Sequence, residues 1–224
     1  MKLEVNGLSI EADFSEEVIQ HDFIPALQRW TQMARNSQQR VFVFLMGPAG
    51  SGKSTAGLFL EELSKTIDGV APIQTVGMDG FHYTNDRLKK MGLISRKGAS
   101  FTFDTDKLKD KIVEGKNADN LWPVYSRTLH DPIEDALRIT SPIILIEGNY
   151  LFLDDEKWRE IASLADEKIW LEVDEGVLEK RLVERKMAGG SDEATARHHY
   201  QTSDRLNIVQ TITQHLAPDT IWKW

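Results

Sequence analysis

Residues 47–55 read GPAGSGKST, and the spacing Gly47-x-x-x-x-Gly52-Lys53-Ser54 is suited to holding phosphate. The glycines let the backbone turn tightly and bring several N–H groups around one anion. Lys53 has the reach to meet outer phosphates, and the Ser54 hydroxyl suits Mg²⁺. Gly47, Pro48, Ala49, Gly50, Ser51, Gly52, Lys53, Ser54 and Thr55 are therefore the candidate nucleotide-binding residues. The plainer alternative is an ordinary Gly-rich turn from strand to helix.

Three further groups could act on a phosphate held there. Asp79, in VGMDGFHYTND at 76–86, could accept the proton of a hydroxyl held near a γ-phosphate. It could equally cap backbone groups in an Asp-Gly turn. Glu147 closes the apolar run ILIE and could hold Mg²⁺ or cap a loop. Arg181 and Arg185, four apart in EKRLVERKMAGGSDEA, share one helix face. They suit stabilisation of charge on a transferring phosphoryl group, or form a solvated face among Glu179, Glu184 and Lys186. Gly189-Gly190 supplies the backbone freedom of a hinge, which favours a closing lid at about 186–195.

Positioning these groups requires strands that end beside the loop. Apolar residues at consecutive positions in 41–46 and 142–147 predict strands covered on both faces. Further strands are expected at 73–78, 120–125, 168–173 and 219–223, and helices at 53–66, 105–114, 155–164, 175–188 and 192–208. Alternation of this kind predicts an α/β three-layer fold with a mostly parallel central sheet. Ligands in such sheets collect at the carboxyl ends of the strands, where every group above falls. Asn6-Gly7 between two alternating runs predicts a β-hairpin. Val18, Ile19, Phe23, Ala26, Leu27 and Trp30 recur at helical spacing, so residues 1–36 read as a hairpin and helix appended to one domain spanning 1–224.

The 224 residues suffice for one core, with 41% hydrophobic and 28% charged residues. Lys and Arg total 27 against 35 Asp and Glu, and no basic block appears, which disfavours a nucleic-acid partner. No apolar run approaches the roughly 20 residues needed to span a bilayer, and the first residues lack a signal pattern. We expect a cytoplasmic protein with no membrane partner. The absence of cysteine removes disulfides, thiol nucleophiles and thiolate zinc sites. His198 and His199 are adjacent and diverge on a helix, so a transition-metal site is not expected. No Asn-Lys-x-Asp segment, Leu-Ser-Gly-Gly-Gln start or strand-final Asp-Glu is present, which weakens GTPase, transporter and motor readings.

Taken together, GPAGSGKST, DGFHY, KGASFTFD at 97–104, PVYSR at 123–127 and ILIEGNYLFL at 144–153 resemble the P-loop kinases that include uridine kinase, bacterial pantothenate kinase and phosphoribulokinase. The likeness runs from about residue 40 to about 190. It is nearest to a bacterial sugar (fructose)-kinase-like branch that shares the Arg-Lys-x-Ala-Gly-Gly lid. The resemblance implies Asp79 as general base and an acceptor pocket drawn from Asp79, His82, Asp104, Tyr125, Arg127 and His130. Asp104 has the alternative role of helix N-cap for 105–114, and His130 that of a structural histidine. Arg127 stands where pantothenate kinase has His. The implied activity is ATP- and Mg²⁺-dependent phosphorylation of a hydroxyl on a small polar metabolite, a sugar ahead of a nucleoside or pantothenate. Lys53, Arg181 and Arg185 would assist catalysis, and Ser54 and Glu147 would hold the metal. A homodimer is an admissible assembly. The competing reading is an ATP-sensing regulator that has no acceptor.

Overall fold

The computed structural model describes residues 1–5 and 8–224, with the side chains of Val5 and Leu8 outside that description; the expected Asn6-Gly7 turn lies outside the described residues. Strands β1 (Lys2–Val5) and β2 (Leu8–Glu11) pair antiparallel. The expected helix at 16–36 consists of α1 (Glu16–Val18), a π turn at Ile19–Phe23 and α2 (Ile24–Asn36). Then come β3 (Val41–Met46), α3 (Lys53–Ser64), β4 (Ile73–Gly77), α4 (Asn85–Lys90) and α5 (Thr105–Gly115). Strands β5 (Asn120–Ser126) and β6 (Asp131–Ile139) precede β7 (Ile143–Gly148), α6 (Glu156–Ala162) and β8 (Glu167–Glu172). Helix α7 (Glu175–Ala188) leads to α8 (Glu193–His199), a second π turn at Tyr200–Asp204, α9 (Arg205–Thr213) and β9 (Thr220–Lys223).

The central sheet is parallel throughout, in the order β4-β7-β3-β8-β9. Its two faces are buried by alternate residues of the same strands. Phe42, Phe44 and Met46 of β3 join Ile144 and Ile146 of β7 in one apolar layer. Val41, Val43 and Leu45 join Ile143 and Leu145 in the other, under α2 and α3. Period-2 geometry sends successive side chains to opposite faces, so an unbroken apolar run is what a doubly covered strand needs.

The expected strand at 120–125 forms, but outside the central sheet. It pairs antiparallel with β6, a strand not anticipated, in a separate hairpin. Their register shifts between Trp122 and Val124, at Pro123, which has no N–H to give a ladder. Asp135 on the facing strand has φ +49°, a left-handed conformation that breaks the alternation of Ile133, Leu137 and Ile139. The expected helix at 192–208 is interrupted by its π turn and runs on to Thr213.

The N-terminal helix is fastened to the far side of the sheet through one buried carboxylate. Glu167 of β8 accepts from Trp30 Nε1 at 2.8 Å, Arg29 Nε at 3.0 Å and Thr220 Oγ1 at 3.0 Å. A buried charge persists when its lone pairs are filled in this way. Phe23 of the first π turn packs against Trp222 and Trp224, with ring centroids 5.3 and 5.5 Å away. Trp222 lies on β9 and is buried, whereas Trp224 follows the strand.

The hairpin is held against the sheet at Gly80. A Cβ built there would stand 2.2 Å from the carbonyl oxygen of Pro123, so only glycine lets the chain after β4 lie on β5. Gly80→Ala is expected to destabilise the protein by about 1–3 kcal/mol through overpacking. For a chain of this size that lowers Tm by roughly 2–4 °C per kcal/mol. A thermal melt checks this, and an unchanged Tm would show that the close approach relaxes at no cost.

Candidate active site

Strand β3 delivers the loop 47–52 to the carboxyl edge of the sheet, and α3 begins at Lys53. Gly52 adopts φ +98° immediately before the helix, a conformation that a side chain would strain. The free N–H groups of the first turn of α3 face the loop, as in an anion site. Lys53 is 5% exposed. Its ammonium donates to the Pro48 carbonyl and to Asn149 Oδ1, both at 2.9 Å. Burial pushes its pKa down to about 8, opposed by the Glu147 and Asp79 carboxylates and reinforced by Arg185.

Glu147 lies near the end of β7, opposite Leu45 of β3 and Gly77 of β4. Ser54 Oγ donates to its Oε1 at 2.9 Å. Burial raises the Glu147 pKa, and the nearby Lys53 ammonium offsets this. A carboxylate and a hydroxyl this close are the oxygen donors that a hard cation takes. Among the described residues no group of three or more His, Asp or Glu could hold a metal by itself. This pair therefore suits a cation that draws its remaining ligands from phosphate and water.

Asp79 sits in a 3-10 turn, Met78–Phe81, just past β4. Its backbone carbonyl accepts from the His82 ring at Nδ1, 2.8 Å away. A carbonyl only accepts, so Nδ1 carries the proton and Nε2 is left as an acceptor. Burial lowers the His82 pKa, which favours the neutral ring. The ring lies between Phe103 and Tyr125, with centroids at 4.0 and 5.2 Å. The turn is thus fixed by its backbone, while the Asp79 carboxylate stays 40% exposed, 3.9 Å from Arg127 Nη2.

From α7, Arg181 donates to the Gly50 and Ser51 carbonyls at 3.2 and 3.4 Å. Arg185, one turn on, opens into the cavity, and the protein around it lowers its basicity. One cavity of about 800 Å³ joins the loop, Asp79, His82, Tyr125, Arg127, Glu147 and both arginines. Its volume is near the upper end of ordinary ligand pockets.

Two of the expected pocket residues stand apart. Asp104 is absent from the cavity wall: it caps α5, accepting from Lys107 N at 3.2 Å, and pairs with Arg87 at 2.9 Å. His130 is exposed at the tip of the β5–β6 hairpin with φ +51°, and its carbonyl accepts from Asn85 Nδ2. Conversely, Asn149, Lys97, Asp204 and the stretch Glu11–Phe14 line the cavity without having been singled out. Asn149 had a signal, as the second residue after Glu147 at a strand end. The others reach the cavity through long-range packing.

No family model matches the chain. It is 40% identical over 213 residues to the uncharacterized protein YggC of Escherichia coli (strain K12), covering 95% of this chain and 90% of that protein. A crystal structure from Silicibacter sp. TM1040, provisionally named a fructose transport system kinase, superposes with a TM-score of 0.81 at 32% identity. That match covers 88% of this chain and 97% of that one. The chain belongs to the P-loop kinases of the uridine kinase, pantothenate kinase and phosphoribulokinase type. Within that group the kinase is 32% identical over 149 residues to pantothenate kinase of Lactococcus lactis subsp. cremoris, and it spans about half the length of that relative. The kinase has no described helix long and apolar enough to cross a membrane.

Proposed function

We propose that the kinase transfers the γ-phosphoryl group of ATP to a hydroxyl of a small polar metabolite, a sugar ahead of a nucleoside or pantothenate. It would work as one domain in the cytoplasm, with a lid at about 186–195. The observation that carries this reading is the Asp79 carboxylate, exposed in the same cavity as Lys53 and the Ser54–Glu147 pair. The sugar preference rests on the likeness to the Silicibacter kinase. A recess of about 140 Å³ between β4 and the hairpin opens beside Asp79 and Arg127 and gives room for a small acceptor.

Lys53 and the loop amides hold the phosphates in line with the acceptor. Asp79 takes the proton of the attacking hydroxyl as its oxygen bonds to the γ-phosphorus and the bridging bond to ADP breaks. Ser54 and Glu147 would hold Mg²⁺, which when bound neutralises phosphate charge. Arg181 keeps the loop carbonyls in place, leaving Arg185 to meet charge on the transferring group.

Arg185→Ala is expected to lower kcat by about 10²-fold, with acceptor KM changed only a few-fold. Arg181→Ala should act mainly on the KM for ATP. Steady-state kinetics separate the two, and a parental rate in Arg185→Ala would return that arginine to the solvated helix face. A coupled ATP-consumption screen over ketoses, aldoses, ribonucleosides and pantothenate tests the function itself. Tight ATP binding without turnover on any of these would favour the regulator.

A further inference from the structure

The cavity has an arm that the catalytic reading leaves unused. Asp79 follows β4 at one edge of the sheet, the phosphate loop follows the central β3, and Trp224 follows β9 at the opposite edge. If the outermost phosphate faces Asp79, the remainder of a nucleotide must run from β3 toward β9. There the wall is formed by Glu11, Ala12, Asp13 and Phe14 together with Trp224. Arg181 donates to the loop carbonyls of Gly50 and Ser51 and Arg185 lies one turn on, whereas beside Trp224 the wall carries the exposed carboxylates of Glu11 and Asp13. Carboxylates repel a triphosphate but accept hydrogen bonds from ribose hydroxyls and an exocyclic amine.

We propose that the segment Glu11–Phe14, with Trp224, is the nucleoside-binding wall of the kinase, and so gives the N-terminal appendage a part in choosing the nucleotide; this rests on the ATP-dependent reading above. Phe14 and Trp224 stand at right angles with centroids 5.4 Å apart, a corner of two aromatic rings against which a flat base can pack. The wall is fixed relative to the phosphate loop. Met1 and Ala12 exchange two hydrogen bonds of 2.8 Å, from the N-terminal ammonium to the Ala12 carbonyl and from the Ala12 N–H to the Met1 carbonyl. Phe14 packs at 4.8 Å on Phe59 of α3, the helix that begins at Lys53. An appendage distant in sequence is therefore registered on the helix that carries the phosphate site.

The test compares ATP with tripolyphosphate, which shares the phosphates and lacks the nucleoside. Dissociation constants for both, with Mg²⁺, are measured on the full chain, on Glu11→Ala/Asp13→Ala and, separately, on Trp224→Ala. The ratio of the ATP constant to the tripolyphosphate constant is expected to rise at least about fivefold in each variant, as lost hydrogen bonds and stacking would require. Tripolyphosphate carries one more ionisable oxygen than ATP, so the acidic variant is read beside Trp224→Ala, which changes no charge and must show the same rise. An unchanged ratio in the acidic double variant, which removes only exposed side chains, overturns the proposal. Failure of the parental protein to bind either ligand overturns the kinase reading, and this proposal with it.

Discussion

Asp79→Asn is expected to lower kcat by roughly 10²–10⁴, the usual worth of a positioned base, while ATP affinity and Tm stay near the parental values. Asn nearly preserves shape and can still hydrogen-bond an acceptor hydroxyl, but it cannot take the proton. The turn at 78–81 is held through the Asp79 backbone carbonyl and the His82 ring, neither of which the change touches. The ion pair with Arg127 is long and half-exposed on both sides, so its loss costs little stability. The low end of the range fits a loose transition state, in which the hydroxyl loses its proton late. Measurement of kcat, ATP Kd and Tm on one preparation decides the matter. Turnover within a few-fold of parental removes Asp79 from the mechanism, and a collapse in Tm makes it a structural residue.

Lys53→Ala is expected to abolish measurable turnover and to weaken ATP binding, because it removes the buried cation that the proposed mechanism sets against the outer phosphates. A pH titration adds a signature specific to this amine. With its pKa lowered to about 8 in the free protein, the ammonium is present below that pH and is lost as pH rises through it. Parental ATP affinity should therefore hold on the acidic side of about 8 and fall above it, by at most about tenfold per pH unit for one linked proton. The Lys53→Ala protein should show no such fall. Equal affinity and turnover in the two proteins would sink the phosphate-loop assignment.

Much of this was legible where chemistry and local pattern coincide. The spacing of 47–54 contains its own backbone requirement, and the unbroken apolar runs of β3 and β7 announce burial on both faces. The run ILIE places Glu147 at the end of the strand beside the loop, and there Ser54 Oγ donates to it. Sequence was less informative where a residue type serves two purposes. Asp104 has the chemistry of an acceptor ligand and the position of a cap; in the structure it caps α5 and its oxygens meet Arg87 and the Lys107 amide. His130 lies five residues beyond Tyr125, yet the chain reverses between them, so the exposed tip residue is not part of the cavity wall that Tyr125 lines. Strand β6 escaped notice because the left-handed Asp135 interrupts its alternation. The far arm of the cavity could not be read locally, since it joins residues 11–14 to residue 224.

The attachment of Trp30 and Arg29 to Glu167, and of Phe23 to Trp222, bears on how the chain is made. A ribosome releases residues 16–36 long before their partners exist. At about 5–20 residues per second, the synthesis of the later strands takes on the order of ten seconds or more. Throughout that interval the apolar face carrying Phe23, Leu27 and Trp30 has no β8 or β9 to lie against. Contacts so distant along the chain also close slowly once they become possible. The nascent protein thus passes through a stage in which β3 and α3 can cover part of this helix while the side that meets β8 and β9 stays open, a surface that would suit a holding chaperone. Completion of the last strand is the event that ends it.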